Sequence, residues 1–253
     1  MKRNSNNRAA KILAIETSTS ACSVALRHDG EICLLSELGN NVHSKKVLPQ
    51  IETLLNDAGW QTADLDAVAI GHGPGSFTGL RIGVGVAQGI SYGARCPMIG
   101  ISSLAALALA AEQDGRIAAG IDARMGEIYY AQFNKQGREL ELIGQEIVCA
   151  PQDLAFKGAE VLCGNAWSEY WAELSQELKA ALPCPQASYP RAAEVLLLAE
   201  QGYYSERDKD ASDKRSSMRE KGFDVGAKTK SVDPRHFAPV YVRNEVAKKI
   251  GDR

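Results

Sequence analysis

Two stretches of this chain hold residue types that can do chemistry. The first is Gly71-His72-Gly73-Pro74-Gly75-Ser76-Phe77-Thr78-Gly79-Leu80-Arg81. Glycines in such a loop permit positive φ and close backbone approach, which a phosphate cradle needs. Both common phosphate fingerprints fail on it. In G-x-G-x-x-G, Ser76 stands where the third glycine is required, and in the P-loop, Leu80 rather than Lys follows Gly79. Arg81 can contact an anion, although an Arg at a helix start is ordinarily only solvated. The second stretch is Glu16-Thr17-Ser18-Thr19-Ser20, a carboxylate and four hydroxyls in one turn. The four histidines, His28, His43, His72 and His236, lie far apart and show no metal-ligand spacing such as H-E-x-x-H. The six cysteines form no C-x-x-C pair, and several sit in apolar runs, where they read as buried reduced thiols.

The elements that must position these residues follow from periodicity. Lys11–Ile15 is a short apolar strand that ends at the hydroxyl-rich turn. Cys22–Leu26 and Glu31–Glu37 follow it, joined by the hairpin signal His28-Asp29-Gly30. Ser44–Ala58 has Val47, Leu48, Ile51, Leu54, Leu55 and Ala58 at helical spacing, with Pro49 as a kink or the end of a first turn and Gly59 as its stop. Asp66–Ile70 is a buried strand that feeds the glycine loop. Ser76 or Thr78 then caps a helix carrying Gly85, Gly89 and Gly93. Each glycine costs roughly 0.5–1 kcal/mol against Ala in a helix interior. Spaced by four they share one face, so another backbone is expected to pack close there. That backbone belongs to a second chain, or alternatively to this chain's own sheet. Pro97–Ile101 is a strand, and Ser102 or Ser103 caps a helix running to about Gln113.

The second half opens in the same way. Ile117–Ile121, Glu127–Phe133 and Glu139–Val148 are strands, and Asp122-Ala123-Arg124-Met125-Gly126 forms the first turn. Val161–Cys163 is a further strand, and Ala166–Leu182 and Arg191–Tyr204 are helices. The chain thus divides into a flexible leader, 1–10, and two related strand-rich lobes, 11–114 and 115–253. The stretch 205–233 is charged and aliphatic-poor and reads as a disordered insertion. Pro239-Val240-Tyr241-Val242-Arg243 is an extended terminal segment. A length of 253 residues supports a sizeable core. A net charge of −2 gives no sign of a nucleic-acid or membrane-surface protein. With no signal-peptide core and no apolar run near membrane length, the expected location is the cytoplasm.

Taken in order, Ile12-Leu13-Ala14-Ile15-Glu16-Thr17-Ser18, His43-Ser44 at a helix start, the loop Gly73–Arg81 and Pro239–Arg243 resemble the TsaB (YeaZ) family. That family is the bacterial partner subunit in threonylcarbamoyladenosine modification of tRNA. The resemblance spans almost the whole chain, apart from the leader and the charged insertion. It implies an α/β fold of the actin/Hsp70/hexokinase (ASKHA) type with two like lobes. It also implies a non-catalytic role. The sister subunit TsaD transfers threonylcarbamoyl to the adenosine beside the anticodon and binds a metal through a His-x-x-x-His helix. Here Ser103 and Leu107 take the histidine places, and neither substitutes for imidazole.

Two functions are therefore in competition. In the first, the chain is a scaffold that docks TsaD, with the ATPase TsaE joining the pair and a homodimer forming on the same face when the partner is absent. The interface residues would be His43, Val47, Ile51, Leu54, Arg81, Gly85, Gly89 and Gly93. The chain needs no metal or cofactor of its own, a nucleotide at the subunit interface is compatible with this role, and tRNA contact is indirect. In the second, the chain is an ATP-dependent small-molecule kinase. Kinases of this fold use an acidic first turn for metal and phosphate. The corresponding nucleotide contacts here would be Glu16, Thr17 and Ser18, with Asp122 from the matching turn of the second lobe.

Overall fold

The computed structural model describes residues 9–39, 41–154, 158–213, 231–240 and 242. The order is β1 (Ile12–Glu16), β2 (Ala21–His28), β3 (Glu31–Leu38), α1 (His43–Asp57), β4 (Ala67–Gly71), α2 (Phe77–Ala94), β5 (Met98–Ile101) and α3 (Ser103–Leu109). Then come β6 (Gly115–Arg124), β7 (Glu127–Gln136), β8 (Glu139–Cys149), β9 (Val161–Cys163), α4 (Ala166–Tyr170), α5 (Gln176–Ala181), α6 (Ala192–Asp213) and β10 (Ser231–Val232). One sheet has the order β10-β5-β4-β1-β2-β3 and the other β8-β7-β6-β9. In each, three antiparallel strands are followed by a strand parallel to the first: β4 lies beside β1, and β9 beside β6. This repeated pairing is the two-lobed α/β architecture of the ASKHA type.

Three apolar layers hold the lobes. The central one places α3 and α6 between the two sheets, with Ile12, Ile101, Leu104, Leu107, Phe133 and Leu196 in it. A second lies between the first sheet and α1 with α2. The third packs Trp167, Leu174 and Leu178 on the outer face of the second sheet. The first sheet also draws on residues beyond 11–114. Ser23 Oγ accepts from the N–H of Ala192 at the start of α6, and Arg27 pairs with Glu200 at 2.8 Å. β10 joins the edge of β5.

Some boundaries differ from the sequence expectation. The helix expected over Ala166–Leu182 is broken, because Ser175 takes an extended ψ of 148° and caps α5 by accepting from the N–H of Leu178. The insertion expected over 205–233 is ordered at both ends. α6 continues to Asp213, and Ser231–Val232 are paired as β10. Extending a formed helix adds one hydrogen bond per residue with no nucleation cost, and Glu, Arg, Lys and Ala between 205 and 213 are good helix formers. The rest of that stretch, 214–230, lies outside the described residues, as do leader residues 1–8, Tyr241 and Arg243. α1 runs straight through Pro49 and stops at Gly59, whose φ of +64° suits the glycine that ends a helix.

Candidate functional site

The glycine helix has two glycine ridges on opposite faces. Gly75, Gly79 and Gly83 form the inner one. A Cβ on Gly75 would strike the Ser18 main chain, one on Gly79 the Thr17 carbonyl oxygen, and one on Gly83 the Thr17 hydroxyl and Ile70. Gly85, Gly89 and Gly93 form the outer one. They are exposed, and a Cβ on any of them meets no described atom within 4 Å. From Gly83 to Gly85 is two residues, a rotation of about 200° around the helix.

The inner ridge seals the β1–β2 turn. Ser76 N–H donates to Ser18 O at 2.6 Å, and Thr17 Oγ1 donates to Gly79 O at 2.9 Å. Beneath this lid Glu16 is fully buried. Its Oε1 accepts from Ser18 N–H at 2.6 Å, and its Oε2 accepts from Ser103 Oγ at 3.0 Å. Gly71 packs directly on the carboxylate, where any side chain would collide with it. Complete burial pushes the Glu16 carboxyl above its ordinary range, against the pull of the Ser18 and Ser103 hydrogen bonds. Glu16 and Thr17 are therefore closed off from solvent.

Asp122 ends up in a different setting. It lines a cleft of 850 Å³ between the lobes, which Ser18 and His43 also line and Glu16 and Thr17 do not. Both Asp122 oxygens are engaged. Oδ1 accepts from Tyr170 OH at 2.7 Å and from Arg124 N–H at 2.7 Å, while Oδ2 pairs with the Arg124 guanidinium at 3.1 Å. Burial and the Asp122 contact push the Tyr170 phenol up to about 12. The metal-competent pair Glu16/Asp122 that a kinase needs is thus not assembled. Among the described residues no group of three or more His, Cys, Asp or Glu is placed to hold a metal ion.

Four of the eight expected interface residues are buried within this chain. Val47, Ile51 and Leu54 are buried against the first sheet, because the apolar stripe of α1 faces its own chain. Exposing such side chains would forfeit about 1.5–3 kcal/mol each, so they cannot also serve a partner. His43 is also buried and faces the cleft instead of the outer helix surface. Two large apolar side chains on these helices are exposed, Leu48 of α1 at 54% and Tyr92 of α2 at 69%, and helical spacing puts Tyr92 on the same face of α2 as Gly85 and Gly89. At its N-terminal end the Arg81 guanidinium stacks over the half-exposed Phe77 ring at 3.6 Å. The expected interface set lacked both Leu48 and Tyr92, and the expected apolar stripe of α1 included Leu48, which instead points away from the core at 54% exposure.

The C-terminal segment pins the same helix. Gln88 Nε2 donates to the carbonyls of Pro234 and Phe237, both at 3.0 Å. Val240 N–H donates to His72 O at 2.9 Å. Phe237 lies against Gly100 and His72.

Known proteins place this geometry. The family model described as TsaD, tRNA N6-adenosine threonylcarbamoyltransferase, matches residues 36–204. The tRNA threonylcarbamoyladenosine biosynthesis protein TsaB of Escherichia coli K12 is 36% identical over 248 residues, covering 94% of this chain and 97% of that one. This chain belongs to the TsaB family. The TsaB of Haemophilus influenzae is 34% identical, over 96% of this chain and 98% of its own. The solved structure of YeaZ from Pseudomonas aeruginosa superposes with a TM-score of 0.73 at 34% identity, covering 92% of this chain and 99% of that one.

Family membership gives Ser103 and Leu107 their meaning. Where the resemblance puts the TsaD histidines, this TsaB-family chain has a hydroxyl that donates to buried Glu16 and a leucine at 0% exposure in the central core. Both positions are buried, and neither carries an imidazole.

Proposed function

We propose that this chain is the non-catalytic docking subunit of tRNA threonylcarbamoyladenosine biosynthesis in the cytoplasm. It binds a TsaD-type catalytic partner through the outward face of α1 and α2. The transfer chemistry stays on the partner, a TsaE-type ATPase joins the pair, and tRNA is engaged through the partner. This chain requires no metal or cofactor of its own.

One observation carries the reading. On the outer ridge of α2, Gly85 and Gly89 in the helix interior and Gly93 in its last turn return nothing to this chain, since no described atom beyond the helix's own backbone approaches them. They cost it roughly 0.5–1 kcal/mol each. A ridge of that kind suits the close approach of another helix, and exposed Tyr92 on α2 and Leu48 on α1 supply apolar area. The family resemblance implies that the same face pairs two copies of this chain when the partner is absent. Co-purification with a TsaD-type subunit, followed by modification of tRNA with and without this chain, tests the proposal. The pair should co-elute and modification should need both chains. Full modification by the partner alone would reject it.

A further inference from the structure

Residues 231–240 form a strap that runs beside α2. It starts as β10 on the edge of β5, closes one turn over Pro234–His236 in which Asp233 accepts from the N–H of Arg235 at 2.9 Å, and ends where Val240 bonds His72. Between Val232 and Val240 no strap residue is buried, and even Pro234 and Phe237 are only half-buried. Ordering a segment costs backbone entropy that apolar burial ordinarily offsets. This strap buries little, so its place is set by specific contacts.

The main contact is Gln88. Its amide nitrogen donates to the carbonyls of both Pro234 and Phe237, which commits both N–H groups to the strap. The glycine loop makes room as well. Gly73 has a φ of +116°, and a Cβ there would lie 2.7 Å from the Val240 carbonyl oxygen. Gln88 also fixes where the strap stands relative to the outer ridge. At about 100° per residue it lies about 60° around α2 from Gly85, with exposed Tyr92 between the two lines. Packed helix axes stand about 8–10 Å apart, so a helix seated on Gly85, Gly89 and Tyr92 meets the strap along one side.

We infer that the strap, residues 233–240, is part of the surface that the TsaD-type partner covers, and that Gln88 is the residue that positions it. This rests on the docking reading. The ridge and Tyr92 then form the apolar centre of the interface, and the exposed ion pair of Asp233 and Arg235 forms its polar rim. The partner it fits presents a helix with an apolar face and polar side chains toward the strap.

The test sets the full chain beside Gln88→Glu, which is nearly isosteric but turns carboxylate oxygens toward the two carbonyls. Titration calorimetry against a TsaD-type subunit reads affinity, and hydrogen exchange of peptides covering 231–240 reads strap order. The bound partner should slow strap exchange in the unsubstituted chain. Gln88→Glu should speed strap exchange in the free chain and weaken binding about five- to 150-fold, the worth of two hydrogen bonds. Strap exchange that the bound partner leaves unchanged overturns the inference without any variant, while docking itself stands. A Gln88→Glu chain whose strap stays ordered overturns it too, as does one whose strap is released but whose affinity is intact. An unsubstituted chain that binds no TsaD-type partner refutes the docking reading, and this inference with it.

Discussion

The outer ridge of α2 makes opposite demands on the free subunit and on the complex, and Gly89 separates them. Gly89 is exposed in mid-helix, and a Cβ there meets no described atom within 4 Å. Gly89→Ala should therefore stabilise the isolated chain by roughly 0.5–1 kcal/mol, from helix propensity alone. For a protein of 253 residues that is an increase of about 1–4 °C in melting temperature. Gly89→Leu should also fold normally, because it too points into open space. In a complex the balance reverses. A glycine contact lets two helix axes approach at the short end of the usual 8–10 Å, and a Leu there forces them apart. Overpacking of this kind costs about 1–3 kcal/mol, which is a loss of about five- to 150-fold in affinity. Differential scanning fluorimetry reads the first effect, and gel filtration with titration calorimetry against a TsaD-type partner reads the second. A melting temperature lowered by Gly89→Ala would mean that the ridge packs inside this chain. Unchanged affinity in Gly89→Leu would mean that the partner docks elsewhere. Either result refutes the reasoning.

The inner ridge should behave in the opposite way. Gly83→Ala drives a methyl into the Thr17 hydroxyl and Ile70, so it should destabilise the chain by about 1–3 kcal/mol in urea denaturation. The buried Glu16 makes stability depend on pH. Its carboxyl lies above the ordinary 4.5 in the folded state, so the native protein binds the proton more tightly than the unfolded chain. The Glu16 contribution to stability should then be fully present below pH 4.5 and be lost as pH rises through the folded-state value. Glu16→Gln should lack this falling limb, and denaturation curves of the two proteins across pH will show whether it does. The purified chain should not hydrolyse ATP, and neither Glu16→Gln nor Asp122→Asn should alter the background. Turnover that Glu16→Gln abolishes would restore the kinase reading.

Most of the element order was legible in the sequence, because strand and helix periods are local properties. β1 to β5, α1 and α2 lie within two residues of where apolar spacing, the hairpin signal at Asp29-Gly30 and the Ser76 cap place them. What faces each element was less legible. Val47, Ile51 and Leu54 form a clean helical stripe, but a stripe says only that something covers it, and the first sheet does. The break at Ser175 and the extension of α6 to Asp213 turn on single capping and propagation steps that residue type leaves nearly balanced.

The glycine helix shows where sequence reasoning stops. Its glycines fall into two four-residue series, 75-79-83 and 85-89-93, and each implies a neighbour close to the helix backbone. Periodicity cannot rank them. Only the fold shows that the β1–β2 turn fills the first series and leaves the second open. Filling the first has a chemical consequence. Thr17 and Glu16, the residues a phosphotransfer reaction would need at that turn, are sealed beneath α2 by the same contacts that fix its direction. The close packing that closes this turn to a nucleotide thereby holds the outer glycines in place on a rigid, exposed face. In this chain the burial of Glu16 and Thr17 and the exposure of the outer glycines are two results of the same packing.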